Sequence, residues 1–157
     1  ASRFWAVLIG INEYASYPLQ GSVPDVQLME KYLTEDLGMP GNHIQLLLGS
    51  KEELSPEDPM YPSHAHITDT LLSLITNPEI VHGDNIIIYY SGHGSYYLHY
   101  MGEEDEVEYI ETFCPIDHDT PGENGNPVPD ISDQELNTIL SLIAQAKGHQ
   151  ITVILDC

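Results

Sequence analysis

"NIIIYYSGHG", residues 85–94, is an apolar run that breaks off at a serine, two glycines and a histidine. A short apolar run bounded by turn residues reads as a strand buried on both faces. "DNIIIYY" (Asp84–Tyr90) is the third of four such runs. The others are "FWAVLIGI" (Phe4–Ile11), "HIQLLLG" (His43–Gly49) and "ITVILDC" (Ile151–Cys157). Amphipathic stretches lie between them. "SVPDVQLMEKYLTEDLG" predicts a helix with Ser22 as cap, Pro24 in the first turn and Gly38 as stop. Its Val26, Met29, Leu33 and Leu37 fall on one face. "ITDTLLSLITN" predicts a second helix capped by Thr68, after a polar, proline-rich loop. Ser132–Glu135 has capping-box spacing and opens a third helix, with Leu136, Ile139, Leu140 and Ile143 on one face and Gly148 at its end. Between Gly92 and Pro129 the pattern breaks, and only "EYIETFC" (Glu108–Cys114) reads as a short hairpin strand.

Apolar strands alternating with amphipathic helices predict an α/β fold with an open, mainly parallel sheet. Right-handed crossovers then put helices on both faces. Sites in such sheets gather at the carboxyl ends of the strands. His93 lies just past the third strand, and Asp156 and Cys157 end the fourth. Parallel strands bring these residues to one edge. Gly92 and Gly94 allow a sharp turn and leave room for a substrate chain beside the ring. An imidazole next to a thiol favours the thiolate, which is the nucleophilic form.

The 157 residues suit one domain or a large piece of one, and 41% of them are hydrophobic. No stretch approaches the roughly 20 apolar residues of a membrane span. The first residues lack the pattern of a signal peptide and an initiator Met, so the chain reads as trimmed or internal. Two cysteines make no disulfide framework and suit a reducing, cytoplasmic setting. Twenty-five acidic residues against four basic ones give a net charge of −21. Such a surface repels nucleic acid and anionic membranes and attracts Ca²⁺ or Lys- and Arg-rich peptides. Solubility alone is an equally good account of much of that charge.

"VLIGINEY", "LQGSVPDVQLMEKYL", "YYSGHG", "CPIDHD", "ISDQELN" and "VILDC", in this order, resemble the metacaspases, caspase-like cysteine peptidases, and within them the type I, fungal-type members. The resemblance covers essentially the whole chain. It implies a caspase-like three-layer sandwich of which residues 1–157 are the large-subunit part. It implies a Cys–His dyad cleaving peptides after Lys or Arg, with His93 as the catalytic imidazole. The nucleophile of these relatives is the cysteine of a D-x-C-H-S-G motif. Asp156 fills its first position and Cys157 its second, so the nucleophile is expected next in the chain; the other reading makes Cys157 the nucleophile itself. Asp25, Asp156 and Ser91 match the family's acidic substrate pocket. Ser22 stands where relatives often carry cysteine. Two carboxylates can grip a guanidinium in fork geometry. Backbone N–H groups near Gly94 and the nucleophile would hold the oxyanion. Type I relatives bind Ca²⁺ through aspartates. Here Asp133 fits that place and Ile110 stands at another, flanked by Glu108 and Glu111. The relatives' sheet has about six strands, so a small-subunit segment or chain is expected to pair with the fourth strand.

Each of these residues also has a plainer reading. His93 suits a hydrogen-bonded turn, and Asp25 suits a helix first turn favoured by the dipole. Cys114 reads as a small buried hydrophobe. His64, His66, His99 and His118 show no zinc spacing. "DHDTPGENGNPVPD" and "EEDEVE" read as solvated segments. The tyrosines of "YYSGHGSYYLHY" either pack over the site or bind a substrate. A rival function is a catalytically inactive caspase-like module that binds partners. A flavodoxin-like nucleotide binder shares the fold class, but no phosphate-binding glycine loop is present.

Overall fold

The computed structural model describes residues 3–50, 55–100, 102 and 107–157. Four parallel strands form the central sheet: β1 (Phe4–Ile11), β2 (Ile44–Gly49), β3 (Asn85–Ser91) and, last in the chain, β7 (Ile151–Asp156). Their spatial order is β2-β1-β3-β7. The apolar runs continue without alternation because both faces are covered. On one face α1 (Ser22–Lys31) packs Val23 and Val26 against Ala6, Leu8 and Tyr89. On the other, α2 (His64–Thr76) and α3 (Asp133–Lys147) bury Ile67, Leu71, Leu136, Ile139 and Ile143 against Trp5, Val7, Ile9, Ile86 and Ile88. These are the three expected layers.

The stretch from Gly92 onward holds more structure than its composition suggests. The expected hairpin strand is β5 (Val107–Phe113), and its antiparallel partner is β4 (Gly94–Tyr100), which starts directly after His93. A two-residue strand, β6 (Ile131–Ser132), completes this second sheet in the order β4-β5-β6. Tyr96, Leu98 and Tyr100 stay exposed, so β4 lacks the alternating burial by which a strand is recognised. Phe113, Cys114 and Ile131 join the main core and anchor this sheet to it.

Three local expectations are corrected. The second helix begins at His64, three residues before the expected Ile67. Ser63 caps it by accepting from the His66 N–H at 3.1 Å, while Thr68 donates back to the His64 carbonyl. Ser132 caps α3 as expected, accepting from the Glu135 N–H. Glu135 does not close a capping box; its carboxylate meets His64 Nε2 at 2.9 Å and ties α3 to α2. Leu37 is half exposed. The helix widens to a π-turn over Tyr32–Asp36, which rotates Leu37 out of the apolar stripe.

Gly10 shows how close α1 comes. A Cβ there would lie 2.7 Å from Val26 Cγ2 and 2.8 Å from the Ser22 carbonyl oxygen. Both are closer than real Cβ contacts. Overpacking of this kind costs roughly 1–3 kcal/mol. Gly10→Ala should therefore lower the urea midpoint with an unchanged slope; an unmoved midpoint would contradict this packing.

Candidate active site at the carboxyl edge of the sheet

β3 and β7 run side by side with Ser91 opposite Asp156, and the Gly92 N–H still reaches the Asp156 carbonyl at 3.3 Å. The turn that bears His93 and the tip that bears Cys157 therefore occupy one edge. Beneath the turn two buried tyrosine hydroxyls, from Tyr14 and Tyr90, lie 2.9 Å apart. Tyr90 donates to the His93 carbonyl at 2.7 Å, and the His93 N–H donates to the Tyr14 oxygen at 3.0 Å. With the Tyr90 proton so placed, the Tyr14 hydroxyl donates to the Tyr90 oxygen or to the Cys114 carbonyl at 3.0 Å, a carbonyl that the Tyr90 hydroxyl also reaches at 3.0 Å. The Cys114 N–H closes the ring by donating to the His93 carbonyl at 2.9 Å. Burial pushes Tyr14 up to about 12 and Tyr90 higher still, so both stay protonated at any physiological pH.

This arrangement explains the glycine before the histidine. A Cβ on Gly92 would overlap both tyrosine hydroxyls. At Gly94 the fit is tight rather than prohibitive: a Cβ would lie 3.0 Å from Sγ of the exposed Cys157. The imidazole itself is half-buried. It lies against the Tyr14 ring, tilted by 44° at a centroid distance of 4.5 Å, and Nε2 sits 2.6 Å from the Tyr17 carbonyl oxygen. A carbonyl only accepts, so Nε2 carries the proton and Nδ1 keeps the lone pair. Tyr17 takes a φ of 56°, in the left-handed region, and its side chain is exposed. Tyr17 reaches His93 through its backbone carbonyl alone. Asn12 shapes the same loop, accepting from Leu19 N–H through its carbonyl and from Val23 N–H through its side chain.

A family model described as the metacaspase peptidase C14 domain matches residues 5–157. The chain belongs to the metacaspases. It is 32% identical to Metacaspase-3 of Arabidopsis thaliana over 93% of its own length and 37% of the relative's. It is 30% identical to Metacaspase-1A of Aspergillus oryzae over 96% of its length and 33% of the relative's. It thus spans about a third of these relatives. A solved structure of a Geobacter sulfurreducens protein shares the fold, with a TM-score of 0.62 at 17% identity, over 98% of this chain and 48% of that one. Membership makes this a caspase-like cysteine peptidase domain.

Asp25 and Asp156 line one cavity of about 340 Å³, together with Tyr89, Leu28, Met29 and Tyr32. Tyr89 donates to Asp156 Oδ2 at 3.1 Å and is pushed up to about 12, first by burial and then by that carboxylate. Ser91 and Ser22 are both buried on the same side, next to Gly10. The four residues of the expected pocket thus share the α1 face. Cys157 does not. It lines a groove on the other face with Leu155, Leu136, Phe113, Glu111 and Asp133. Strand alternation explains the split, since Cys157 directly follows Asp156, the last residue of β7. Of the three residues expected for calcium, Glu111 and Asp133 share this groove, whereas Glu108 alternates to the other side of β5. Two carboxylates fall short of the six to eight oxygens that Ca²⁺ takes. Residues 103–106, the rest of the acidic run, lie outside the described residues.

Burial and the nearby Asp130 push the Cys114 thiol up to about 12, while the exposed Cys157 is pushed up by partial burial, Asp156 and Glu111. In metal-free protein at pH 8 a disulfide reagent should therefore titrate Cys157 and leave Cys114 unreacted until the chain unfolds. Two native thiols reacting at similar rates would contradict the geometry.

Proposed function

We propose that this metacaspase domain serves an endopeptidase that cleaves after Lys or Arg. The reading is supported above all by the pairing of Asp25 and Asp156 on one cavity at the sheet edge where His93 stands. Two carboxylates on a chain of net charge −21 suit a guanidinium or ammonium and repel an acidic side chain. Tyr89 orients Asp156 for that task.

His93 acts through Nδ1, with Nε2–H held by the Tyr17 carbonyl. The nucleophile is the cysteine expected directly after Cys157, which by alternation shares the face of Asp156. Nδ1 takes its thiol proton, and the thiolate attacks the peptide carbonyl carbon. Backbone N–H groups near Gly94 stabilise the oxyanion. As the tetrahedral intermediate collapses, the C–N bond breaks and the imidazolium gives its proton to the leaving amine. Water, deprotonated by the same nitrogen, then hydrolyses the thioester.

The outer edge of β7 has no partner strand among the described residues, and Ile154 and Leu155 are exposed beside it. An open apolar edge invites pairing, so the proposal includes a small-subunit segment or chain there. Calcium enters the proposal only through Glu111 and Asp133, with water completing the shell, and no step passes through it.

The test uses the full-length parent protein and an Arg-ending peptide reporter, with and without Ca²⁺. His93→Ala should lower kcat/KM by about 10²–10⁴-fold. Asp156→Asn should act mainly on KM for Arg. Undiminished turnover by the His93 variant would defeat the assignment, and so would a parent sequence with no nucleophile after Cys157.

A further inference from the structure

We propose that Cys114, His118 and Asp130 form a site for Zn²⁺ directly behind the turn that carries His93. The ligating atoms of these three residues all lie within 4.8 Å of one another. They come from three places that the fold fixes. Cys114 follows the last residue of β5, His118 sits on the turn after it, and Asp130 precedes β6. The two loops are laced together, with the Asp119 N–H on the Val128 carbonyl at 3.0 Å and the Val128 N–H on the Thr120 carbonyl at 2.8 Å. Asp130 is held from both ends: its N–H donates to the Tyr97 hydroxyl, and its Oδ2 accepts from Thr112. That leaves Oδ1 facing His118 Nδ1 at 3.4 Å.

The cluster is short of positive charge. Asp130 is 9% exposed, and its only cationic neighbour among the described residues is the His118 ring, which is neutral when its second nitrogen is unprotonated. Buried carboxylates are ordinarily paired or bound to a metal. The donor set decides which metal. One sulfur, one imidazole nitrogen and one carboxylate oxygen suit Zn²⁺, whereas Ca²⁺ takes oxygen alone. Ligand atoms around tetrahedral zinc stand at about 2.0–2.3 Å from it and so about 3.3–3.7 Å from one another, which asks the three to draw in by up to about 1 Å. The exposed Asp119, whose Oδ2 is 3.6 Å from the same His118 nitrogen, or a water fills the fourth position. Binding exchanges the thiol proton of Cys114 for the ion, so one proton is released and affinity falls as pH falls.

The site would brace the neighbouring hinge. The Cys114 N–H and carbonyl belong to the ring of hydrogen bonds around His93, and the His118 ring stands edge-on to Tyr14 at 5.7 Å. The inference does not rest on the peptidase reading, because none of the three residues is part of the proposed dyad or pocket.

Cobalt(II) is the probe, since a thiolate–cobalt bond gives a near-ultraviolet charge-transfer band. The protein is titrated as the Cys157→Ala variant, which removes the exposed thiol. One equivalent of cobalt should bring up the band, and Zn²⁺ should displace it. Adding Cys114→Ser should abolish it, with near-ultraviolet circular dichroism checking the fold. His118→Ala, at a partly exposed turn position, should also abolish or strongly weaken it, and covers the case in which the serine variant does not fold. No band in the Cys157→Ala protein, a band that survives Cys114→Ser, or unweakened binding in His118→Ala would each overturn the site.

Discussion

Two buried tyrosine hydroxyls govern this sheet edge. Tyr14 arrives from the loop after β1 and Tyr90 from β3, and between them they satisfy both backbone groups of His93 and the carbonyl of Cys114. A hydroxyl has one proton to give, so the two hydroxyls share the His93 and Cys114 carbonyls between them, while the N–H groups of His93 and Cys114 supply the remaining donors. Buried polar networks of this kind are costly when incomplete and rigid when complete. Here every polar side-chain atom buried among the described residues has a partner. The histidine is therefore fixed through its backbone from below, which leaves the ring to be aimed by its tilted contact with Tyr14 and by the Tyr17 carbonyl.

The parallel register carries that placement across the sheet. Gly10, Ser91 and Asp156 follow one another from β1 to β3 to β7 at matched positions. Anything set at the tip of one strand is thereby measured against the others. The two-residue period of β7 then sorts its end: the carboxylate of Asp156 goes to the α1 face and the thiol of Cys157 to the opposite groove. The cavity lined by Asp25 and Asp156 and a second, more apolar groove thus sit back to back across one strand. The metacaspase domain spends its acidity unevenly between them, with Asp25 and Asp156 on one side and Glu111 and Asp133 on the other.

Much of this was legible in the residues. The four strands could be read because each is buried on both faces, which leaves unbroken apolar runs. His93 and Asp156 could be read because the parallel order sends strand ends to one edge, whereas Asp25, in the first turn of α1, stood out only through the resemblance to metacaspases. β4 could not, since its tyrosines and leucine are exposed on a hairpin and carry no burial period. The start of α2 was hidden because "SHAH" looks polar, although Ser63 makes the cap. Tyr14 and Tyr17 lie in a loop with no periodicity, and their roles arise from contacts 76 and 79 residues away in sequence. The cluster of Cys114, His118 and Asp130 was equally silent, because its spacing matches no zinc motif and the loops that join it pair only in three dimensions.

The central claim is that the fold delivers His93 to the sheet edge with Nε2 protonated and Nδ1 open. Nitrogen-15 NMR of histidine-labelled protein near pH 7.5 reads this directly. The account predicts that the neutral His93 ring carries its proton on Nε2, held against the Tyr17 carbonyl, with an unprotonated Nδ1 resonance. A neutral ring protonated on Nδ1, or one exchanging freely between the two tautomers, would contradict it.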